Sequence, residues 1–346
     1  MPSDSLPLVS VVIPAYKAAP YIRPTLDSVF AQSYPSYEVI VVNDGSPDTP
    51  EFESAIRPYL DRIIYIKQKN RGPSAARNAG ILRARGEFVA FLDSDDLWLD
   101  NYLDRQMSAL RGEPGYDFIY SDANLLGDNI PPGRTFMRAF PSRGPVTFES
   151  LFALKCIVIS SCTVARRQTI LKAGLFDESF WHCEDFDLWL RIAFNGARMA
   201  YQEEILATHH VREGSLSATP QSMRKGRKRV YEKALATLGL NDAQRAVAIR
   251  MRDRWGALVE LEDGKQLLSQ ARYGEARAKM RSANNFFRSA KISAVIVLLS
   301  IAPPVARWLY KAYADKGASP QSPDDGQVHS APGLSSNTDT VGPSNL

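Results

Sequence analysis

The run FLDSDD (91–96) sets three carboxylates, Asp93, Asp95 and Asp96, within four residues. Acids so close repel one another unless a cation joins them. Hard oxygen donors suit Mg2+ or Mn2+, ions that readily share their coordination with a diphosphate. The competing reading is local: Asp95 or Asp96 caps the helix that follows. Asp44, in NDGS (43–46), is placed to accept hydrogen bonds from a nucleobase or ribose, although Asp-Gly suits a tight turn equally well. Arg77 lies in GPSAARNAG (72–80), at a helix start, where anions are favoured; phosphate or base is one partner for it and a surface ion pair is the other.

These residues fall at the ends of regularly alternating elements. LVSVVIP (8–14) is a short β-branched run of the kind buried on both faces of a sheet. The spacing predicts further strands at 37–41, 63–66 and 88–92. It predicts helices within 20–32, starting near Pro24, and at 49–60 and 74–84. Such alternation implies a mostly parallel α/β sheet flanked by helices, with right-handed crossovers. In sheets of this class ligands bind beyond the carboxyl ends of the strands, where IPAY (13–16), NDGS and FLDSDD all lie.

After residue 100 the pattern loosens. A helix is predicted at 102–110, a strand at 118–120, a long loop at 123–147, a strand at 159–164, and helices at 166–173 and 185–194. Residues 222–290 read as mostly helical. ISAVIVLLSI (292–301) is the most apolar run, but it is shorter than the roughly 20 residues a bilayer span needs. With VARWLYKAY (305–313) it reads either as a segment lying in a membrane interface or as a buried capping helix. The tail, 315–346, has a disorder-prone composition.

Bulk properties exclude little. The chain has 346 residues, of which 45% are hydrophobic and 23% charged, with a net charge of +4, too modest to point to nucleic acid. The basic excess gathers in the C-terminal half, either as a solvated helix face or as a surface for anionic headgroups. Three cysteines without metal-ligand spacing fit a reducing cytoplasm, and residues 1–8 lack the pattern of a signal peptide. The expected location is therefore cytoplasmic, with peripheral contact at the inner face of the plasma membrane as the additional reading.

Four blocks in order, VSVVIPAYKAAPYI, VIVVNDGSPDTP, NRGPSAARNAGI and FVAFLDSDDLW, resemble the signature blocks of the glycosyltransferase family 2 catalytic domain. The resemblance is close over 8–122 and extends to about 216. It implies a GT-A fold, a Rossmann-like domain binding a nucleoside-diphosphate sugar with Mg2+ or Mn2+. By the same resemblance Pro14, Tyr16 and Asp44 surround the nucleoside, Arg77 lies by the base or diphosphate, Asp93 contacts the ribose side, and Asp95 contacts the metal. WHCEDFDLWLR (181–191) resembles the family's Glu-Asp motif, which would make Asp185 the general base and Glu184 its neighbour at the acceptor; Asp187 and Trp189 also fit. An acceptor hydroxyl is a poor nucleophile until a carboxylate takes its proton, and a positioned base contributes about 10²–10⁴-fold. First-turn acids that merely favour a helix start are the competing reading.

THHVREGSLS (208–217) departs from the family pattern. Arg212 stands where relatives usually carry a His, so either Arg212 serves the diphosphate or His209 or His210 takes the metal role.

The expected organisation is a tail (1–7), a GT-A catalytic domain (8–216, with a nucleotide-sugar half 8–122 and an acceptor half 123–216), a helical extension (217–290), the apolar segment (291–314) and the tail (315–346). The expected activity is inverting transfer from a nucleotide sugar, UDP being the family's commonest base, to a saccharide or lipid-linked acceptor in envelope or exopolysaccharide synthesis. The alternative is a non-catalytic sugar-nucleotide or carbohydrate-binding module on the same fold. A nucleotidyltransferase or dinucleotide oxidoreductase is disfavoured, because PAYKAAP, not a Gly-rich turn, follows the first strand.

Overall fold

The computed structural model describes residues 6–112, 115–128, 130–212 and 219–314. Residues 1–5 of the expected N-terminal tail (1–7), the tail 315–346, and residues 213–217 of the last motif lie outside the described residues.

Four parallel strands build the first half: β1 (Val9–Ala15), β2 (Tyr37–Asp44), β3 (Ile63–Gln68) and β4 (Phe88–Phe91). β1 lies between β2 and β4, and helices cover both its faces, Val12 packing with the helix Pro73–Arg83 and Val9, Val11 and Ile13 with the helix Ile22–Phe30, which is why VSVVIPA is almost wholly buried. β5 (Leu97–Trp98), β6 (Phe118–Leu126), β7 (Thr163–Arg166) and β8 (Met199–His210) complete an eight-stranded sheet in the order β3-β2-β1-β4-β7-β6-β8-β5. β7 inserts antiparallel to both β4 and β6, β6 and β8 are parallel, and β5 runs against β8. The sheet is therefore mixed: parallel in its nucleotide half, alternating beyond β4.

Helices α1 (Ile22–Phe30), α2 (Thr49–Ile56), α3 (Pro73–Arg83) and α4 (Tyr102–Arg111) cover the first half. α1 begins at Ile22 rather than Pro24; a first-turn N–H has no partner within the helix, so a proline at the third position loses nothing. The loop expected at 123–147 is shorter than predicted, since β6 continues to Leu126 and α5 (Phe136–Ala139) interrupts it. The strand expected at 159–164 is a 3-10 turn, Ser160–Cys162, followed by β7.

α6 (Phe148–Phe152), α7 (Arg167–Lys172) and α8 (Glu184–Phe194) pack on the second half. Trp189 anchors α8 against Phe91, Phe118 and Phe176, with ring centroids 5.8, 4.8 and 5.9 Å away. α9 (Pro220–Thr237) and α10 (Asp242–Ser269) join the same core through Val230, Tyr231, Trp255 and Leu258. α11 (Tyr273–Phe287), α12 (Ala290–Ile301) and α13 (Pro303–Ala314) share a smaller cluster with the end of α10. No described helix is long and apolar enough to cross a membrane.

Candidate active site

The carboxyl ends of β1, β2 and β4 lie side by side because the strands are parallel neighbours. Pro14 is the penultimate residue of β1 and the exposed Tyr16 follows the strand; Asp44, which is buried, ends β2. Asp44 accepts hydrogen bonds from Gln68 Nε2 (2.7 Å), the Arg71 amide (3.0 Å) and the Gly72 amide (2.8 Å). It therefore shapes the loop that leads into α3. The turn role and a ligand role coexist here, since a carboxylate has about four lone-pair sites.

The turn after β4 is held from three sides. The Asp93 amide donates to Ser161 Oγ at 3.1 Å. Thr25 Oγ1 on α1 donates to the carbonyls of Ser94 and Asp96, both at 3.0 Å. The buried Asp96 carboxylate meets His209 Nδ1 at 2.8 Å and accepts from the His210 amide at 2.9 Å, which ties the end of β8 to the turn. Asp95 is paired with the Arg212 guanidinium, Nε at 2.9 Å, and that guanidinium lies 3.9 Å from the Tyr21 ring centroid.

Arg77 joins this turn to α8. Its Nη2 donates to Asp93 Oδ1 at 2.7 Å and its Nη1 to Glu184 Oε1 at 2.8 Å, and the residue is 5% exposed. This differs from both expectations, an open phosphate or base contact and a surface ion pair. The fifth residue of α3, Arg77 points under the site, where the fork geometry of a guanidinium can serve two carboxylates at once. Asp93, expected at the ribose, is the outer partner of that bridge.

At the start of α8, Asp185 is half-buried; Ser160 Oγ donates to its Oδ2 at 3.1 Å and the Phe186 amide to its Oδ1 at 2.7 Å. Ser160 and Ser161 touch both acid clusters, and the sequence reading missed them: a predicted strand covered them, and only their polarity within an apolar run signalled otherwise. Cys183 precedes α8 in the left-handed region, φ 61°. A Cβ at Gly226 of α9 would come within 2.9 Å of the His182 carbonyl, so a glycine there lets α9 press on this strained turn. Asp187 is spoken for by Arg191 and Lys233.

Electrostatics follow the crowding. Burial pushes the Asp95 carboxyl up, and the charges of Asp96 and Asp93 add to this while Arg212 opposes it. Burial takes Glu184 to about 7, with Arg77 pulling down and Asp185 pushing up. Burial likewise raises Asp185, against Arg77 and its two hydrogen bonds. Although burial lowers the His209 imidazole, Asp96 more than compensates and holds it at about 9. Acids perturbed both by burial and by specific neighbouring charges are candidates for a reactive role.

Among the described residues no three His, Cys, Asp or Glu side chains form a metal cage. The donor set nevertheless fits a metal held jointly with a diphosphate, a mode that asks for only one or two protein carboxylates. The charges of Asp96 and Asp93 still push the Asp95 carboxyl up against its Arg212 partner, so a further cation there would be favoured, and His210 has a buried Nδ1 without a hydrogen-bond partner. Asp93, Asp95, Glu184, Asp185, Arg77, Arg212 and His210 are thus gathered around the β4 turn. Pro14, Tyr16 and Asp44 line the neighbouring strand ends without a hydrogen bond to the acids among the described residues.

The Glycosyl transferase family 2 model matches residues 10–170. An uncharacterized glycosyltransferase of Rickettsia typhi is 33% identical over 62% of this chain and 67% of its own. A UDP-Glc:alpha-D-GlcNAc-diphosphoundecaprenol beta-1,3-glucosyltransferase, WfgD of Escherichia coli, is 33% identical over 54% of this chain and 69% of its own. Among solved structures, a mannosyltransferase of Pyrobaculum calidifontis in complex with GDP-Man and Mn2+ superposes with a TM-score of 0.56 at 20% identity. That superposition covers 93% of this chain and 92% of the other, a likeness of fold.

Proposed function

The chain belongs to glycosyltransferase family 2, and on that premise we propose that it transfers a sugar, with inversion, from a nucleoside-diphosphate sugar to a hydroxyl of a saccharide or lipid-linked saccharide. UDP is the first candidate base, and envelope or exopolysaccharide synthesis the first candidate setting; the Escherichia coli relative's name carries both a UDP-sugar donor and a diphosphoundecaprenol-linked acceptor.

The observation that carries this reading is the Arg77 bridge. It sets the acids after β4, suited to the donor, beside the acids that begin α8, suited to the acceptor. Asp185 is the base: it takes the proton of the acceptor hydroxyl as that oxygen attacks the anomeric carbon. Ser160 and the Phe186 amide hold its carboxylate in orientation. Glu184, fixed by Arg77, borders the acceptor beside the base. Asp44, Pro14 and Tyr16 receive the nucleoside, Asp93 the ribose side, and Arg212 the diphosphate. Asp95 and His210, together with diphosphate oxygens, would hold Mg2+ or Mn2+, whose charge offsets that of the leaving diphosphate.

A panel of nucleotide sugars, tested by thermal shift with and without Mn2+, examines the reading. One donor is expected to raise the melting temperature in a metal-dependent way, as a ligand of the folded state must. No stabilisation and no sugar release with any donor would reject it.

A further inference from the structure

The chemistry above leaves the C-terminal helix pair unused. α12 buries Ile292, Ile296 and Leu299 against the ends of α10 and α11. The side facing away is apolar too: Ala294, Val297 and Ile301 follow one another at helical spacing, Val297 57% and Ile301 75% exposed. A helix packed on a core and facing water is ordinarily polar on its outer side. α13 continues the strip, with Val305, Trp308 and Leu309 exposed at spacings of three and four residues. Both helices carry the same kind of outer surface, and they meet at Pro303.

Charge identifies the occupant. Residues 288–312 contain Arg288, Lys291, Arg307 and Lys311 and no Asp or Glu. An apolar strip on helices that themselves carry cations and no acid is complementary to an anionic bilayer, with side chains such as Trp308 suited to the headgroup boundary. A second copy of this surface would set cations against cations. At about 1.5 Å per residue neither twelve-residue helix reaches across a hydrocarbon core of roughly 30 Å, so the pair lies on the membrane.

We propose that α12 and α13 form a docking surface that seats the enzyme flat on an anionic lipid bilayer. The helices that carry the strip pack on α10 and α11, not on the strand ends that hold the acids, so lipid binding can be tested apart from the transfer reaction.

The test uses the full chain and sedimentation with vesicles of phosphatidylcholine alone or mixed with phosphatidylglycerol, without donor or acceptor. The chain should bind the mixed vesicles and leave them as salt rises. Ile301→Glu combined with Trp308→Glu should weaken binding at least tenfold. Lys291→Ser and Lys311→Ser should each weaken it about fivefold, as the loss of one cation near an anionic surface predicts. All four side chains are exposed, and matching thermal melts check that the variants fold.

No vesicle binding, or binding indifferent to these variants and to salt, overturns the proposal. So does a concentration-dependent dimer abolished by the double variant in place of vesicle binding, or binding that appears only after truncation at residue 314. Each of these failures would leave donor binding and transfer untouched, which separates them from a failure of the transferase reading.

Discussion

Arg77 on α3 and Glu184 at the start of α8 stand 107 residues apart in the chain and share a 2.8 Å hydrogen bond shielded from solvent. The other arm of the guanidinium holds Asp93, so one side chain sets the register of the acceptor-side helix against the β4 turn. Its own charged form is reinforced: burial works against it, but Asp93 and Glu184 outweigh burial.

Arg77→Ala removes the only partner of Glu184 in this bridge and strands a carboxylate in a buried place. Urea denaturation at neutral pH should register a loss of about 3–5 kcal/mol, the usual cost of breaking a buried pair from one side. Arg77→Lys should recover part of it, since an ammonium cannot serve both acids with fork geometry. A loss below about 1 kcal/mol, the range of an exposed pair, would mean that the bridge does not organise the cleft.

Asp95→Ala should abolish the dependence of donor binding on Mn2+. Thermal shift with donor, with and without the ion, reads this directly. Retained metal dependence in the variant would move the metal role elsewhere. Arg212, now on Asp95, should tolerate replacement by Lys better than by Ala, because the acid needs a neighbouring cation.

The pH–rate profile should carry the mark of a partly buried base. Burial raises the Asp185 carboxyl, so its proton is held more tightly than by an ordinary aspartate, and kcat/KM should fall as pH drops, on a limb above the usual carboxylate range. The Ser160 hydrogen bond lowers that carboxyl. Ser160→Ala should therefore shift the limb to higher pH; a shift downward, or none, would disconnect Ser160 from the base.

His209 links stability to pH in the opposite sense. Its folded value of about 9 exceeds the ordinary 6.5 because of Asp96. The contribution is fully present below about pH 6.5 and is lost as pH rises through about 9, on the order of 3 kcal/mol. His209→Gln should flatten the melting temperature across that window. An unchanged slope would show that the imidazole is not charged against Asp96.

The parallel half of the fold was legible because β1, β2 and β4 are buried on both faces and write themselves as apolar β-branched runs. β8 was not: it is half-buried, carries Gln202, Glu203 and Glu204, and shifts register against β6 near Asp122, which breaks any period of two. The acids of the cleft were visible as types and spacings. Their mutual arrangement was not, since the Arg77 bridge and the His209–Asp96 pair each join residues more than a hundred positions apart. Ser160 and Ser161 were hidden by a turn at the end of an apolar run.

The most direct test of the account replaces Asp185 by Asn and measures donor affinity and sugar transfer on the same preparation. Donor affinity should stay near that of the unaltered chain while transfer falls by about 10²–10⁴-fold, the contribution of a positioned base. Transfer at the normal rate in Asp185→Asn would contradict the account.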